Sequence, residues 1–278
     1  MGYEIIVLDI DGTLVNSKKE VTPQTLKVLT SLQRQGKKVV LASGRPVQGI
    51  SGYAKTLMLN CYGGYILAYN GGAVIDARND EVIYSKYFPN EIIPEICREI
   101  AGTNVTVNTY QGDRIIEGNA LNEYSDIEAK IVGLETKFVD DFADYVNFDV
   151  NKLLLAGDPA EILRLEKTLS EKYKGVIGVF RSEEFFLELV PLGIDKAKSI
   201  DVLLNKLRLD RSQCIACGDG YNDITMIQYA GLGVAMENAA EEVKEAANII
   251  TDTNDNDGVA KIVTEYMLWY LYKKQSIK

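Results

Sequence analysis

Short apolar runs that each end in a polar stretch recur along this chain. Four of them have the length and apolar character of buried strands: residues 3–8, 38–42, 65–69 and 213–217. A helical pattern separates the first run from the second. This order of strand, helix and strand predicts a parallel sheet, in which ligands bind beyond the carboxyl ends of the strands.

The helices of this sheet are predicted from caps and apolar faces. Thr22-Pro23 is typical of an N-cap followed by the first helical residue, and Gly36 of a helix end. A second helix has apolar residues at the spacing of one face: Ile200, Leu203, Leu204 and Leu207. Residues 232–235 and 248–250 predict two further short strands, and residues 258–272 a final helix.

The middle of the chain has a different pattern. Helices are predicted at 92–100 and 158–173, and short strands at 105–110, 114–117, 151–156, 176–180 and 185–190. This α+β texture interrupts the first pattern, which resumes afterwards. We therefore predict an α/β fold: a Rossmann-like parallel-sheet core of residues 1–82 and 190–278, with an α+β cap domain inserted at 83–189.

The composition of the chain excludes several classes of partner and of catalytic site. The chain has 278 residues, a net charge of −10 and no histidine. The acidic balance argues against nucleic acid or an anionic membrane as a partner, because both need a basic surface. No apolar run reaches the roughly 20 residues that cross a bilayer, and we find no signal peptide, so we expect a cytoplasmic protein. The lack of histidine excludes Ser-His-Asp and Cys-His catalysis and histidine-bound zinc.

We predict no redox or metal-binding role for the four cysteines. Cys214 and Cys217 form a Cys-x-x-Cys pair, but in a strand such positions face opposite sides, and no second pair completes a zinc site. We expect these two, Cys61 and Cys97 to be reduced packing residues.

The polar stretches at the strand ends hold the candidate chemistry. Asp9 and Asp11 follow the first strand, and side chains alternate along a strand, so both are expected on one side. Unpaired buried charge is costly, so two adjacent carboxylates predict catalysis or a cation. Other such stretches are Ser43-Gly44-Arg45, the loop before Lys196, and residues 218–223.

In this order, the stretches resemble the haloacid dehalogenase superfamily of phosphohydrolases, in particular its Cof-type sugar-phosphatase-like branch. The matching motifs are Asp9-Ile10-Asp11-Gly12-Thr13-Leu14, Ser43-Gly44-Arg45, Lys196 and Gly218-Asp219-Gly220-Tyr221-Asn222-Asp223. Two accessory stretches, residues 231–239 and 251–260, also resemble this branch. The resemblance covers most of residues 1–80 and 190–265.

The resemblance implies a Mg²⁺-dependent phosphatase that acts on a small phosphorylated metabolite, such as a sugar phosphate, through an aspartyl-phosphate. Asp9 would be the nucleophile, and Asp11 the general acid and base, with a pKa raised by neighbouring carboxylates. Asp9, the backbone carbonyl of Asp11 and Asp219 would bind Mg²⁺. The remaining roles would be phosphate contacts from Ser43, Gly44, Arg45, Lys196 and Asn222, orientation of Lys196 or a metal-bound water by Asp223, and bracing of the loop by Thr13.

Two alternatives remain open. A phosphomutase of the same superfamily, similar to phosphomannomutase, would share this chemistry. A phosphate-sensing or phospho-acceptor domain would have no turnover.

The segment between Ser43 and Lys196 is far longer than a βαβ crossover needs, so we predict that the cap is inserted there. We interpret Asn70-Gly71-Gly72 as a turn, and Asn254 and Asp257 as structural residues.

Overall fold

The structure is a computed structural model that describes residues 2–268. Within it the chain forms two compact units. The first holds the described residues up to Tyr84 and from Asp195 onward, and the second holds Ser85–Ile194. Among the described residues, no helix has the length and apolar character needed to span a bilayer.

The first unit is built from two stretches of the chain. Its amino-terminal elements are β1 (Ile5–Leu8), α1 (Pro23–Arg34), β2 (Lys38–Ala42), α2 (Val47–Thr56), α3 (Leu59–Tyr62), β3 (Tyr65–Ala68), β4 (Ala73–Asp76) and β5 (Glu81–Ser85). The elements of the second unit are α4 (Ile93–Ile100), β6 (Thr106–Gln111), β7 (Arg114–Gly118), α5 (Glu123–Val132), β8 (Glu135–Phe138), α6 (Phe142–Tyr145), β9 (Leu153–Ala156), α7 (Pro159–Lys172), β10 (Ile177–Glu183) and β11 (Phe186–Pro191). The first unit then continues with α8 (Lys196–Leu207), β12 (Cys214–Gly218), α9 (Ile224–Tyr229), β13 (Leu232–Met236), α10 (Glu241–Ala246), β14 (Ile249–Thr251) and α11 (Gly258–Ile262).

The sheet of the first unit has the strand order β14-β13-β12-β1-β2-β3-β4-β5. The strands from β14 to β3 pair in parallel, and β3 and β4 pair antiparallel. In the centre, Leu8 is in register with Leu41 on one side and Cys217 on the other. Three neighbouring parallel strands therefore end side by side, which confirms the predicted α/β fold.

Packing and caps explain these elements. Ile5, Val7 and Val40 lie against Ile200 and Leu203 of α8 in one buried cluster. The hydroxyl of Thr22 accepts a hydrogen bond from the backbone N–H of Thr25, and Pro23 is the first residue of α1, as predicted.

The second unit is a six-stranded sheet with the order β10-β11-β9-β6-β7-β8. One face packs on α4 and α7 through the buried side chains of Ile96, Ile100, Leu165 and Leu169. The predicted strands and both predicted helices are present, and no end is shifted by more than three residues. Three further elements, α5, β8 and α6, were not predicted, because their apolar faces are short and interrupted by charged residues.

Two expectations need correction. The final helix is not a single α-helix, because after Ile262 it continues as a π-helix over Val263–Leu268; the rest of the predicted element lies outside the described residues. Cys214 and Cys217 are buried packing residues, as predicted, but Cys61 is exposed on α3.

Candidate active site

The site is centred on Asp9, which directly follows β1. The backbone N–H of Asp9 donates to the carbonyl of Cys217 (3.0 Å), so the β1 ladder extends up to the carboxylate. Gly12 then turns the chain with φ +81°, a conformation that favours glycine. A Cβ at Gly12 would lie 2.2 Å from Oδ2 of Asp219, so the turn also depends on the missing side chain.

Asp9 and Asp223 share one buried lysine. The Nζ of Lys196, which is 1% exposed, lies 2.8 Å from Oδ1 of Asp9 and 2.6 Å from Oδ1 of Asp223. Nζ also donates to the carbonyl of Ala42, at the end of β2 (3.0 Å). All three donor positions of the ammonium group are therefore occupied.

The third carboxylate comes from the loop after β12. Asp219 accepts a hydrogen bond from the hydroxyl of Thr13 (2.7 Å). Asp9, Asp219 and Asp223 each offer an oxygen within 4.8 Å of the other two. The second oxygen of Asp223 accepts the backbone N–H groups of Asp219 (3.0 Å) and Gly220 (2.9 Å), so Asp223 shapes the loop that carries Asp219.

The electrostatics of this cluster favour a cation. Burial and the neighbouring charge of Asp223 raise the pKa of Asp9 above its ordinary value, although Lys196 opposes the shift. Burial raises the pKa of Asp219 to about 6. For Lys196, burial alone would lower the pKa, but Asp223 and Asp9 outweigh it and raise the pKa.

The donor set fits a hard divalent cation. It consists of carboxylate oxygens, which Mg²⁺ prefers, and one lysine cannot balance three clustered carboxylates. A divalent cation would supply the missing positive charge and would lower the pKa of both Asp9 and Asp219. The cluster is therefore able to hold a metal ion.

Asp11 lies in a different environment from the one expected. Because β1 ends at Leu8, Asp11 belongs to the turn, and the alternation of strand side chains does not apply to it. Its carboxylate accepts bonds from Nε (2.8 Å) and Nη2 (3.0 Å) of Arg45 and from Nζ of Lys19 (2.8 Å). Burial alone would raise the pKa of Asp11, but these two cations lower it, so the expected raised pKa is wrong.

The residues proposed to contact phosphate lie around this cluster. Ser43 is buried at the end of β2, and its hydroxyl accepts the backbone N–H of Arg45 (3.2 Å). Asn222 donates from Nδ2 to Oδ1 of Asn70 (2.9 Å), and Asn70 also donates its backbone N–H to the carbonyl of Ser43 (2.9 Å). A Cβ at Gly44 would lie 3.0 Å from the side chain of Asn70.

Two residues with contacts at this site, Asn70 and Lys19, were not among the predicted site residues. Asn70 has φ 56° and follows β3, which pairs in parallel with β2, so it lies at a fourth strand end. That position could have indicated a place near the site, but the stretch was interpreted as a turn. Lys19 lies in a loop with φ 61°, and no sequence pattern indicated its contact with Asp11.

This chain belongs to the haloacid dehalogenase-like hydrolases, whose family it matches over residues 6–263. The match confirms the family that the motifs indicated. Members of this family with similar sequences are named phosphatases, and the chain is a hydrolase of this phosphatase type.

Three relatives illustrate the similarity. A haloacid dehalogenase-like hydrolase structure from Bacteroides thetaiotaomicron is 46% identical, with a TM-score of 0.90 over 94% of this chain and 98% of that one. The subclass IIB sugar phosphatase BT4131 is 25% identical, with a TM-score of 0.78 over 95% and 98% of the two chains. A 5-amino-6-(5-phospho-D-ribitylamino)uracil phosphatase from Bacillus subtilis is 29% identical over 270 residues, which are 96% of this chain and 97% of that one.

Proposed function

We propose that this protein is a Mg²⁺-dependent phosphatase that hydrolyses a small phosphomonoester, such as a sugar phosphate, through an aspartyl-phosphate intermediate. The observation that carries the proposal is the buried carboxylate of Asp9, held by Lys196 within 4.8 Å of Asp219 and Asp223. The two relatives named as phosphatases of a sugar and of a ribitylaminouracil phosphate support the substrate class.

Asp9 is the proposed nucleophile because Lys196 orients its carboxylate and leaves one of its oxygens free. Its Oδ1 accepts a bond from Lys196, and its Oδ2 accepts no hydrogen bond from any residue of 2–268. Asp223, in contrast, uses both oxygens, since Lys196 occupies one and two backbone N–H groups the other. Attack of Oδ2 on phosphorus would break the bond to the leaving alkoxide and form the acyl phosphate.

Lys196 has two tasks in this scheme. It orients the carboxylate of Asp9, and its positive charge offsets negative charge that the phosphoryl group brings into a buried site. Ser43, Gly44, Arg45 and Asn222 are the proposed contacts to the phosphoryl oxygens.

Asp9, Asp219 and the backbone carbonyl of Asp11 are the proposed Mg²⁺ ligands. When bound, the ion neutralises charge on the carboxylates and the phosphate, so that an anionic nucleophile can approach. Asp223 orients Lys196 and the Asp219 loop through the bonds described above.

Asp11 is the proposed general acid and base. It would protonate the leaving alkoxide and then take a proton from the water that hydrolyses the acyl phosphate. In the described arrangement it is held as a carboxylate by Arg45 and Lys19. The acid step therefore requires that Asp11 leaves these two cations before it carries a proton.

We further propose that Ser85–Ile194 acts as a cap that selects the leaving group, since this unit is large enough to have its own core. The proposed substrates support a cytoplasmic location, because charged phosphorylated metabolites do not cross membranes unaided.

The test is phosphate release from p-nitrophenyl phosphate and from a panel of phosphorylated metabolites, with Mg²⁺ and with a chelator. We expect Asp9→Asn, which preserves the volume of the side chain, to lower kcat by at least about 10³-fold with folding intact. The matched control is Asp252→Asn, which neutralises an exposed carboxylate of the same unit and should retain activity. Turnover by Asp9→Asn, or activity that survives full chelation, would refute the mechanism. Phosphoryl transfer that needs a bisphosphate and releases no phosphate would instead identify a mutase.

A further inference from the structure

Two asparagines from distant loops bind the backbone of residues 9–15, which carry Asp9 and Asp11 and are called the catalytic loop below. Nδ2 of Asn238, which follows β13, donates to the carbonyl of Gly12 (2.8 Å). Nδ2 of Asn254, which follows β14, donates to the carbonyl of Val15 (2.8 Å). Both belong to the accessory stretches for which the proposed mechanism has no role.

The two side chains act together. The backbone N–H of Asn254 donates to Oδ1 of Asn238 (3.1 Å). The amide of Asn238 is therefore used at both ends, as donor to Gly12 and as acceptor from Asn254, and this network sets its orientation. We call the pair Asn238 and Asn254 the asparagine clasp.

The loop that carries Asn254 also holds the chain beyond Val15. Oδ1 of Asp255 accepts the backbone N–H of Ser17 (2.8 Å). Asp257 accepts the hydroxyl groups of Thr25, at 3.2 Å, and of Thr22. The contacts of this loop therefore extend from the catalytic loop to the first turn of α1.

The carbonyl that Asn238 binds belongs to Gly12, the residue of the catalytic loop with the greatest backbone freedom. Gly12 has no Cβ and a φ of +81°, so its peptide can rotate at a lower cost than any other peptide of the loop. Asp11 precedes it, and Thr13, whose hydroxyl bonds Asp219, follows it. A rotation at Gly12 would displace both neighbours.

We propose that Asn238 and Asn254 are positioning residues for catalysis: the clasp holds the Gly12 peptide so that Asp11 and Thr13 stay in place for metal and phosphate. This inference rests on the proposed function. Asn238 is exposed and Asn254 half-buried, so their hydrogen bonds contribute little to the free energy of unfolding. Their loss should therefore affect catalysis more than folding.

The experiment compares Asn238→Ala, Asn254→Ala and the double variant with Asn256→Ala. Asn256 is the matched control, since it lies in the same loop and its Nδ2 bonds only Thr253 among the described residues. We measure kcat and KM on p-nitrophenyl phosphate, and the Mg²⁺ concentration at the midpoint of the Mg²⁺-induced rise in Tm. The Mg²⁺ midpoint is measured without any catalytic turnover, so it reports on metal binding alone.

Both clasp variants should lose about 10- to 100-fold in kcat, with a much smaller change in KM and a higher Mg²⁺ midpoint. Because the two side chains act as one unit, the double variant should lose about as much as either single one. Asn256→Ala should match the wild type, and the Tm without metal should stay near that of the wild type in all four variants.

Clasp variants that match Asn256→Ala in both kcat and Mg²⁺ midpoint would overturn the proposal. So would a loss of kcat that follows a fall in the metal-free Tm and disappears at lower temperature, because that result describes a structural role alone. A wild type that releases no phosphate would refute the proposed function instead. In that case, an unchanged Mg²⁺ midpoint in the clasp variants overturns this inference, and a raised one supports it.

Discussion

Replacement of Lys196 by methionine tests the charge balance of the site. Methionine has a similar length and no charge, so Lys196→Met removes the ammonium group with little change in packing. The replaced group bonds Asp9 and Asp223 and is 1% exposed. The variant therefore leaves two carboxylates without the cation that they share.

The expected loss of unfolding free energy follows from the burial of Lys196 and its two carboxylate partners. Removal of one partner from a buried ion pair costs about 3–5 kcal/mol of unfolding free energy, because an uncompensated charge stays behind. Asp9 avoids part of this cost, since its raised pKa allows it to take a proton. We therefore expect a loss near the lower limit, about 3 kcal/mol.

Lys206→Met is the matched control. Lys206 lies on the same helix, α8, and its Nζ is also 2.8 Å from a carboxylate oxygen, that of Glu81. The two side chains of this pair are 43% and 52% exposed, so its loss should cost less than about 1 kcal/mol.

The assay is urea denaturation in a chelating buffer, because a divalent cation would compensate the unpaired carboxylates. Equal losses for Lys196→Met and Lys206→Met would refute the argument from burial. The addition of Asp223→Asn to Lys196→Met should recover part of the lost free energy, since it replaces an unpaired carboxylate by a neutral amide.

Two further predictions concern other positions. Gly12→Ala and Gly36→Ala both place alanine at a positive φ, which costs about 1–2 kcal/mol, but only at Gly12 does the new Cβ meet Asp219, whereas nothing lies within 4 Å at Gly36. Phosphate release should therefore be lost in Gly12→Ala alone, and its survival there would contradict the described turn. Hydrogen bonds from Arg78 lower the pKa of Asp76, so this carboxylate contributes stability above its unfolded pKa that is lost as the pH falls through its folded pKa. Urea denaturation at several pH values should show Asp76→Asn destabilised near neutral pH and the difference shrinking below about pH 4; a difference independent of pH would exclude the ion pair as its cause.

Local sequence patterns predicted the elements and the strand ends. Thr22-Pro23 starts α1 because a cap and a fixed φ act within a few residues. The side chains of Asp9 and Asp219 meet because β1 and β12 are neighbouring parallel strands, so residues that directly follow them lie at one edge. Lys196, predicted beside this edge, reaches both Asp9 and Asp223.

The partners of the polar side chains were decided by the tertiary structure alone. Asp11 pairs with Arg45 and Lys19, which lower the pKa that its carboxylate neighbours were expected to raise. Asn238 and Asn254 reach the loop after β1 from loops more than 200 positions away. Periodicity and caps encode the conformation of the backbone over one or two turns. The contacts of Asp11, Asn238 and Asn254 depend instead on how the loops at the ends of β1, β2, β13 and β14 are brought together. The sequence by itself determined which polar residues follow the strands, and only the packed sheet determined which charges and amides lie beside them.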